Sequence, residues 1–473
     1  MSSADNLSVL VVGAGFGGLA CAIALAKRGI DVRVFELAED LTRQGKELYV
    51  KGITRLCIDL NVGDVIMVGS NATRIISKWG GGLMDEIWKM AAQPSTLKIK
   101  DKSGKILLEQ PLANDFDGYP NIYTNRTKLQ NLLYRHALEL GVRFTFGARV
   151  TDYFENDTEA GFSLNGARHS ADAVLIGDGV HSKGRSFLSG IPEKALKSGF
   201  AVYRSWFPLD NLRRSDLTRQ FADADEDQFA IWIAEDTHAI LTTNVKQQSC
   251  TCFATHKDLT DIEESWHLKG SVDDMLDVVD GWDPVLREII RSIPPDDLID
   301  HKLLWRNPNK KWVSGRGRIA LVGDAAHPHL ATSGNGGAQA IEDGATLATL
   351  ITRAGRHEIP IALRAYERLR FERTSLTQRM GWETRHRWHQ TDWEAVAANP
   401  EFLKFPQPEW LNGHDAEEYA AAHLDKVIEH LRNGSPFQSS NIPAGHVHKD
   451  WTIEEMMARE GQKADASFYQ VDN

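Results

Sequence analysis

Three glycines and one glutamate carry the first chemistry legible in this chain. In "LVVGAGFGGLACAIALAKRGIDVRVFE", residues 10–36, Gly13, Gly15 and Gly18 fit G-x-G-x-x-G and Glu36 closes the stretch. Gly13 permits a tight turn, Gly15 lets the backbone approach a pyrophosphate, and Gly18 lets a helix pack closely on a strand. A pyrophosphate then sits on free N–H groups at the positive end of the helix dipole. Glu36 accepts hydrogen bonds from ribose hydroxyls and repels a 2′-phosphate, which disfavours NADP in this crevice. The fingerprint does not choose between NAD and FAD. Nearly 300 residues later, "GRIALVGDAAH" (317–327) ends a buried-looking run on Gly323-Asp324. Asp324 can accept hydrogen bonds from a polyol such as a ribityl chain. The cluster Gly334, Gly336, Gly337 then offers bare N–H groups at a helix start, where developing negative charge is stabilised. The alternative is a plain structural turn, since glycines supply turns everywhere.

These residues need elements to hold them. The run Val9–Val12 reads as a strand, Leu19–Lys27 as a helix and Asp31–Phe35 as a second strand, a β-α-β unit. Leu7–Ala26 is uncharged and long enough to span a bilayer, with an Ala24-Leu25-Ala26 triplet like a signal-peptidase site. The six residues before it carry no Lys or Arg, so the positive region of a secretion signal is missing. In "GITRLCIDLNVGDVI", Ile53, Leu56, Cys57 and Leu60 recur at helical spacing, predicting a helix that ends near Asn61. "TLKIKDKSGKILLEQPL" alternates around Ser103-Gly104 and reads as a β-hairpin. Residues 124–141, with Leu129, Leu132, Leu133 and Ala137 on one stripe and Gly141 as stop, form an amphipathic helix. A β-meander follows and returns to the parallel sheet at Ala173–Ile176. Between about 199 and 256 the short, aromatic-rich, alternating runs indicate an antiparallel sheet, whose Trp206, Trp232 and Phe253 are core or line an apolar pocket. "GWDPVLREIIRSIPP" is a helix stopped by Pro294-Pro295. Residues after Gly337 continue as a helix. Another, rich in charge, follows from Pro360, and its arginines between Arg364 and Arg387 read as a solvated, ion-paired face. His386 and His389, three apart, face solvent or a domain seam. Neither they nor His327 and His329 are completed to a metal ligand set by a nearby acid or cysteine. Another helix lies near "DAEEYAAAHLDKVIEHLRNG", and the polar, acidic end frays.

Composition bounds the partners. The chain has 473 residues, 42% of them hydrophobic and 25% charged, with 54 Lys and Arg against 65 Asp and Glu for a formal charge of −11. That length suggests two or three domains, and that charge argues against nucleic acid or an anionic membrane as partner. Cys21, Cys57, Cys250 and Cys252 are too few and scattered for a disulfide scaffold, so a reducing, cytoplasmic setting is expected. Cys250 and Cys252, two apart on a strand, read as packed thiols.

Together, "VVGAGFGGLACAIAL" with Glu36, "ADAVLIGDGVHSKGR" and "GRIALVGDAAHPHLATSGNGGAQAIEDG" resemble the single-component FAD-dependent aromatic monooxygenases of the para-hydroxybenzoate hydroxylase fold. Within them the likeness is to salicylate hydroxylase-like enzymes and fungal natural-product monooxygenases. The motifs bracket residues 7 to about 350 in the family's order. The resemblance implies an α/β fold: a Rossmann-like FAD-binding domain with a parallel sheet (1–75, 118–190 and 299–372), a substrate domain with an antiparallel sheet (76–117 and 191–298), and a C-terminal helical region (373–473). It implies that Glu36 holds the adenosine ribose, Asp324 the ribityl chain, and Gly336 and Gly337 the pyrimidine edge. Arg126 in "TNRTKLQ" matches an arginine near the FAD phosphates and ribityl chain; a helix-surface charge is the alternative. Asp178 and Arg185 fall in the segment tied to FAD and NAD(P)H. Arg204 in "AVYRSWF" matches an arginine that positions a phenolate or carboxylate or assists epoxide opening, with an inter-domain ion pair as the alternative.

The implied reaction inserts one oxygen of O2 into an electron-rich aromatic or heteroaromatic small molecule, by hydroxylation or epoxidation. It runs through a flavin hydroperoxide, with NADPH or NADH as transient reductant. Two departures stand out: Ile176-Gly177-Asp178-Gly179 where the family has smaller residues before Asp-Gly, and Ala331 where many members have proline. A flavin oxidase, dehydrogenase or halogenase, or a non-catalytic flavin-binding protein, is the competing reading. No W-x-W-x-x-I halogenase signature is present. Substrate identity and oligomeric state are not encoded in any motif.

Overall fold

The computed structural model describes residues 7–41, 65–190, 196–258, 269–459 and 462. The helix expected around Ile53–Leu60, with Cys57, lies outside the described residues, as does the polar chain end.

The chain opens with β1 (Ser8–Val12), α1 (Phe16–Ala26) and β2 (Asp31–Phe35). α1 is apolar all round and buried on nearly every side, which marks a helix enclosed within a protein core. Among the described residues no helix is long and apolar enough to cross a membrane. The expected hairpin forms as β3 (Thr96–Asp101) and β4 (Ile106–Pro111), and the amphipathic helix as α2 (Arg126–Glu139), capped by the Asn125 side chain on Lys128 N at 2.9 Å. β5 (Arg143–Thr145) and a three-stranded meander over 152–171 lead to β6 (Ala173–Ile176). Four long strands follow, β7 (Leu196–Pro208), β8 (Phe229–Ala234), β9 (Thr237–Asn244) and β10 (Ser249–Lys257), then β11 (Leu298–Trp305) and the short β12 (Ile319–Leu321). α3 (Gly336–Ala354), α4 (Ile359–His389), α5 (Ala416–Asn433) and α6 (Ile453–Met457) complete the frame.

Two sheets organise the site. One is parallel, in the order β12-β6-β1-β2-β5. Its inner strands β1 and β6, with β12, are almost wholly buried, as strands covered on both faces require, while the edge strand β5 is largely exposed. The other has seven strands in the order β11-β7-β10-β9-β8-β3-β4, antiparallel except where β3 joins β8. The hairpin thus enters this second sheet through an edge. β11 belongs to it too, pairing with β7 from Leu298 to Trp305. The boundary expected at 299 falls inside this strand, which runs on to Trp305. "LIDHKLLW" hides it because two charged residues and a histidine interrupt the alternation.

The register of the seven-stranded sheet sorts its faces. Tyr203, Phe207, Cys250, Cys252, Ala254 and Trp232 point to a core shared with helices over 272–278 and 284–291. Burial pushes the Cys252 thiol up to about 12 and raises that of Cys250, so these are packed thiols. The opposite, inner face carries Arg204, Phe253, Ile240 and Ile231 in one row.

α4 corrects the sequence reading. Arg370, Arg373, Arg385, His386, Arg387 and His389 are all buried rather than solvated. Alternating charge along a sequence signals pairing, but it carries no information about depth. Only Arg368–Glu372 and Arg379–Glu383 pair along the helix at i, i+4 among the described ion pairs. Arg370 and Arg373 reach acids on α3 instead. His389 packs against the seven-stranded sheet, its Nε2 2.7 Å from Nδ1 of His238 on β9.

Candidate active site

The fingerprint loop shows a division of labour among its glycines. Gly13 has φ +95°, and its N–H donates to Phe35 O at 2.8 Å. A Cβ at Gly13 would collide with the Gly177 carbonyl, and one at Gly18 with the Gly13 carbonyl. A Cβ at Gly15 would meet nothing within 4 Å. Two glycines therefore serve packing, while the third leaves open space at the start of α1. That start has no side-chain cap and no acid in its first turn, so its N–H groups and dipole are left for an anion. Glu36 is fixed beside it: Oε2 accepts from Ala14 N at 2.6 Å and Oε1 from Ala38 N at 2.8 Å. Each oxygen keeps a lone pair for a hydroxyl. Gln130 of α2 donates to Ala14 O at 2.8 Å and ties that helix to the loop.

Asp324 lies in the turn Gly323–Ala325 just beyond β12. Protein packed around it pushes its carboxyl above the usual range, against the pull of Arg126, His327 and Arg185, yet the side chain is exposed. Both observations hold for a carboxylate on the floor of a deep cleft. Arg126 is the first residue of α2, its guanidinium 5.8 Å from the Phe16 ring at the start of α1. Asp178 follows Gly177, which packs against Val322 and the Gly18 backbone. Its Oδ2 accepts from Lys183 N at 2.8 Å and Gly184 N at 3.2 Å, while Oδ1 has no hydrogen-bond partner. Burial raises its carboxyl. Arg185 is buried and donates to Ala326 O at 2.8 Å, so it braces the Asp324 turn.

The glycine cluster starts α3. Gly334 is left-handed at φ +63°, and α3 has neither a side-chain cap nor an acid in its first turn. A Cβ on Gly336 would lie 3.2 Å from His329 Cβ, and one on Gly337 2.7 Å from Ile66 Cδ1. These positions thus answer to close packing as well as to free N–H groups.

Beneath the cleft runs a buried charge network that sequence reasoning missed. Asp343 accepts from His327 Nε2 at 2.6 Å, from Gly323 N at 2.9 Å and from Arg370 Nε at 2.9 Å. Glu342 pairs with Arg370 and receives Arg373 Nε at 2.9 Å and Nη2 at 2.8 Å, with Asn71 Nδ2 at 2.5 Å. Arg373 also donates to the carbonyls of Trp410, Leu411 and Asn441. Burial alone would raise both carboxyls; Arg373 and Arg370 hold Glu342 below the ordinary range, and His327 and Arg370 do so for Asp343. One signal was available: two adjacent acids inside the buried run Ala338–Ile351 require partners.

Arg204 sits apart from these, on the inner face of the seven-stranded sheet. That face is covered along β8 and β3 by Trp388, Val396, Leu403 and Phe405. Over β11, β7, β10 and β9 it is less covered: Ile299 on the edge strand and Arg204, Phe253 and Ile240 inside the sheet are each only half-buried. Trp206 and the hydroxyl pair Thr242–Thr251 at 2.5 Å border the patch on one side, His238 on the other. Phe405 joins the covered part of this face to the glycine turn at the start of α3: its Cζ lies 3.5 Å from a Cβ built on Gly334.

Residues 6–379 match a family described as an FAD binding domain. The chain is 33% identical over 458 residues to the FAD-dependent monooxygenase nodY2 of Hypoxylon pulicicidum, covering 93% of this chain and 96% of that protein. The chain belongs to this family of FAD-dependent monooxygenases. Among solved structures, native FqzB superposes with a TM-score of 0.82 at 34% identity, covering 93% of this chain and 98% of that one. CtdE in complex with FAD and a substrate superposes at 0.80 with 27% identity, covering 90% and 99%. As a member of the family, this monooxygenase uses FAD, a small-molecule substrate and O2. Its residues fit FAD: open space at Gly15 before an uncapped helix, an accessible carboxylate at the cleft floor, and a second uncapped helix start at Gly336.

Proposed function

We propose that this monooxygenase inserts one atom of O2 into an electron-rich aromatic or heteroaromatic small molecule, using NADPH or NADH as reductant. The half-open patch of Arg204, Phe253, Ile240 and Ile299 carries this reading. An apolar floor with one cation suits a flat ring bearing a phenolate or carboxylate. The balance is substrate, O2, reduced nicotinamide and a proton giving oxygenated product, water and oxidised nicotinamide.

The division of labour follows from the cleft. The start of α1, with Gly13, Gly15 and Gly18, holds the pyrophosphate, and Glu36 holds the adenosine ribose. Asp324 holds the ribityl hydroxyls, Arg126 the phosphates or ribityl chain, and Asp178 completes the cleft wall. Gly336 and Gly337 present N–H groups to the pyrimidine edge, where the α3 dipole favours negative charge. Bound FAD supplies the redox chemistry, which side chains cannot. Arg204 orients the substrate, and the covered flanks of the sheet exclude water. In this division residues 1–75, 118–190 and the stretch from 306 to 372 form the FAD-binding domain. Residues 76–117 and 191–305 form the substrate domain, and 373–473 the C-terminal helical region.

The test is incubation of the FAD-loaded protein with NADH or NADPH, oxygen and a panel of phenols and indoles. Substrate-stimulated nicotinamide oxidation with stoichiometric oxygenated product is expected. Reduction without product sinks the reading in favour of an oxidase or dehydrogenase, and no stimulated oxidation favours a non-catalytic flavin-binding protein.

A further inference from the structure

α4 separates the glycine turn from a second cavity. On one face, Thr377 Oγ1 meets His329 Nε2 at 2.9 Å, and a Cβ on Gly381 would lie 3.0 Å from Ser333 Cβ. On another face, Arg379 and Met380 line a partly open cavity of about 200 Å³ whose other wall is residues of the segment 443–451. The walls include Trp451, held by its indole N–H to Ser375 Oγ at 3.1 Å, and Trp410, whose buried Nε1 has no hydrogen-bond partner. Val447, 72% exposed, stands at the lip.

The polar groups here are mostly donors. Arg379, Lys449, His446 and His448 line the cavity, and among the described residues no carboxylate does. Glu383 pairs with Arg379 at 3.2 Å, and Asp450 lies 3.5 Å from His448, both from outside the lining. In a chain of charge −11 this is a local reversal of sign. Burial, His448 and Arg379 hold His446 below its ordinary range, against the opposite pull of Glu372. An anion seated beside it reverses that balance, so binding takes up a proton. Indole walls accept a flat ring, and the volume admits a single ring system.

We infer that this cavity is a second binding site, distinct from the patch at Arg204, for a small molecule that joins an aromatic ring to an anionic group. The anion meets Lys449, Arg379 and His446, and the ring lies between Trp410 and Trp451.

Calorimetric titration of the FAD-loaded enzyme with benzoate, and separately with 5′-AMP, tests this at about pH 6 and about pH 7.5. At least one probe should bind, and more tightly at the lower pH. The titrations are run on the enzyme and in the Arg204→Met background, where benzoate held at the substrate patch no longer contributes; there the remaining binding should persist, and His446→Ala combined with Lys449→Ala should weaken it about tenfold or more. Both side chains of the double variant are half-buried or exposed, and equal FAD content and melting temperature verify that the fold is kept. Binding of benzoate alone identifies a carboxylate ligand, and of 5′-AMP alone a nucleotide. The inference is overturned by no heat with either probe, by binding in the Arg204→Met background that survives the double substitution, or by binding lost altogether in Arg204→Met.

Discussion

His327 and Asp343 meet inside the core, Nε2 to Oδ2 at 2.6 Å, with both side chains essentially free of solvent contact. The contact joins the segment after the Asp324 turn to the middle of α3, and Asp343 simultaneously holds the Gly323 N–H and Arg370. The turn that carries Asp324 therefore rests on a fully buried carboxylate.

Asp343→Ala leaves Arg370 and the Gly323 N–H without that partner in a dry site. Removing one member of a buried pair costs about 3–5 kcal/mol. Urea denaturation of the FAD-loaded protein should show a loss of that size, with reduced FAD retention. A change below about 1 kcal/mol, within the range of an exposed pair, refutes the structural role given to Asp343.

The glycine fingerprint should separate into two classes. Gly13→Ala and Gly18→Ala drive a Cβ into backbone carbonyls, so both should lower the melting temperature of the apoprotein. Gly15→Ala has room and should leave that temperature nearly unchanged while weakening FAD binding, because the new methyl occupies the pyrophosphate approach. Equal apoprotein melting for all three would show that the loop is not packed as described.

Burial and Arg385 hold His238 down to about 3, and burial, His238 and Arg385 hold His389 well below its ordinary range. Unfolded, each takes a proton near 6.5. Between about pH 6.5 and pH 3 the unfolded chain therefore binds more protons than the folded one, and stability falls as pH falls. Each histidine contributes a slope approaching about 1.4 kcal/mol per pH unit. Urea midpoints measured from about pH 7 to about pH 5 should decline, and His238→Gln should flatten the decline. An unchanged slope in that variant would exclude the pair as its source.

Arg204→Met should leave FAD content intact and lower kcat/KM for an anionic or phenolic substrate roughly tenfold to hundredfold, the scale of one charged hydrogen bond. Steady-state product formation measures it. A variant with full activity, or one that loses FAD, contradicts a substrate-orienting role.

The sequence by itself determined the local features: the turns at Gly13 and Gly334, the apolar strands around the fingerprint, the hairpin at Ser103-Gly104 and the glutamate at the tip of β2. Each depends on backbone conformation and side-chain alternation within a few residues, which the order of residues encodes directly. Tertiary structure decided depth and partnership. It put Arg370 and Arg373 against Glu342 and Asp343 rather than in water, brought His389 to His238 across 151 positions, and carried the antiparallel sheet past residue 299 to Trp305. A charge or an imidazole looks the same in a sequence whether solvated or enclosed, because burial and pairing depend on which distant segments pack around it.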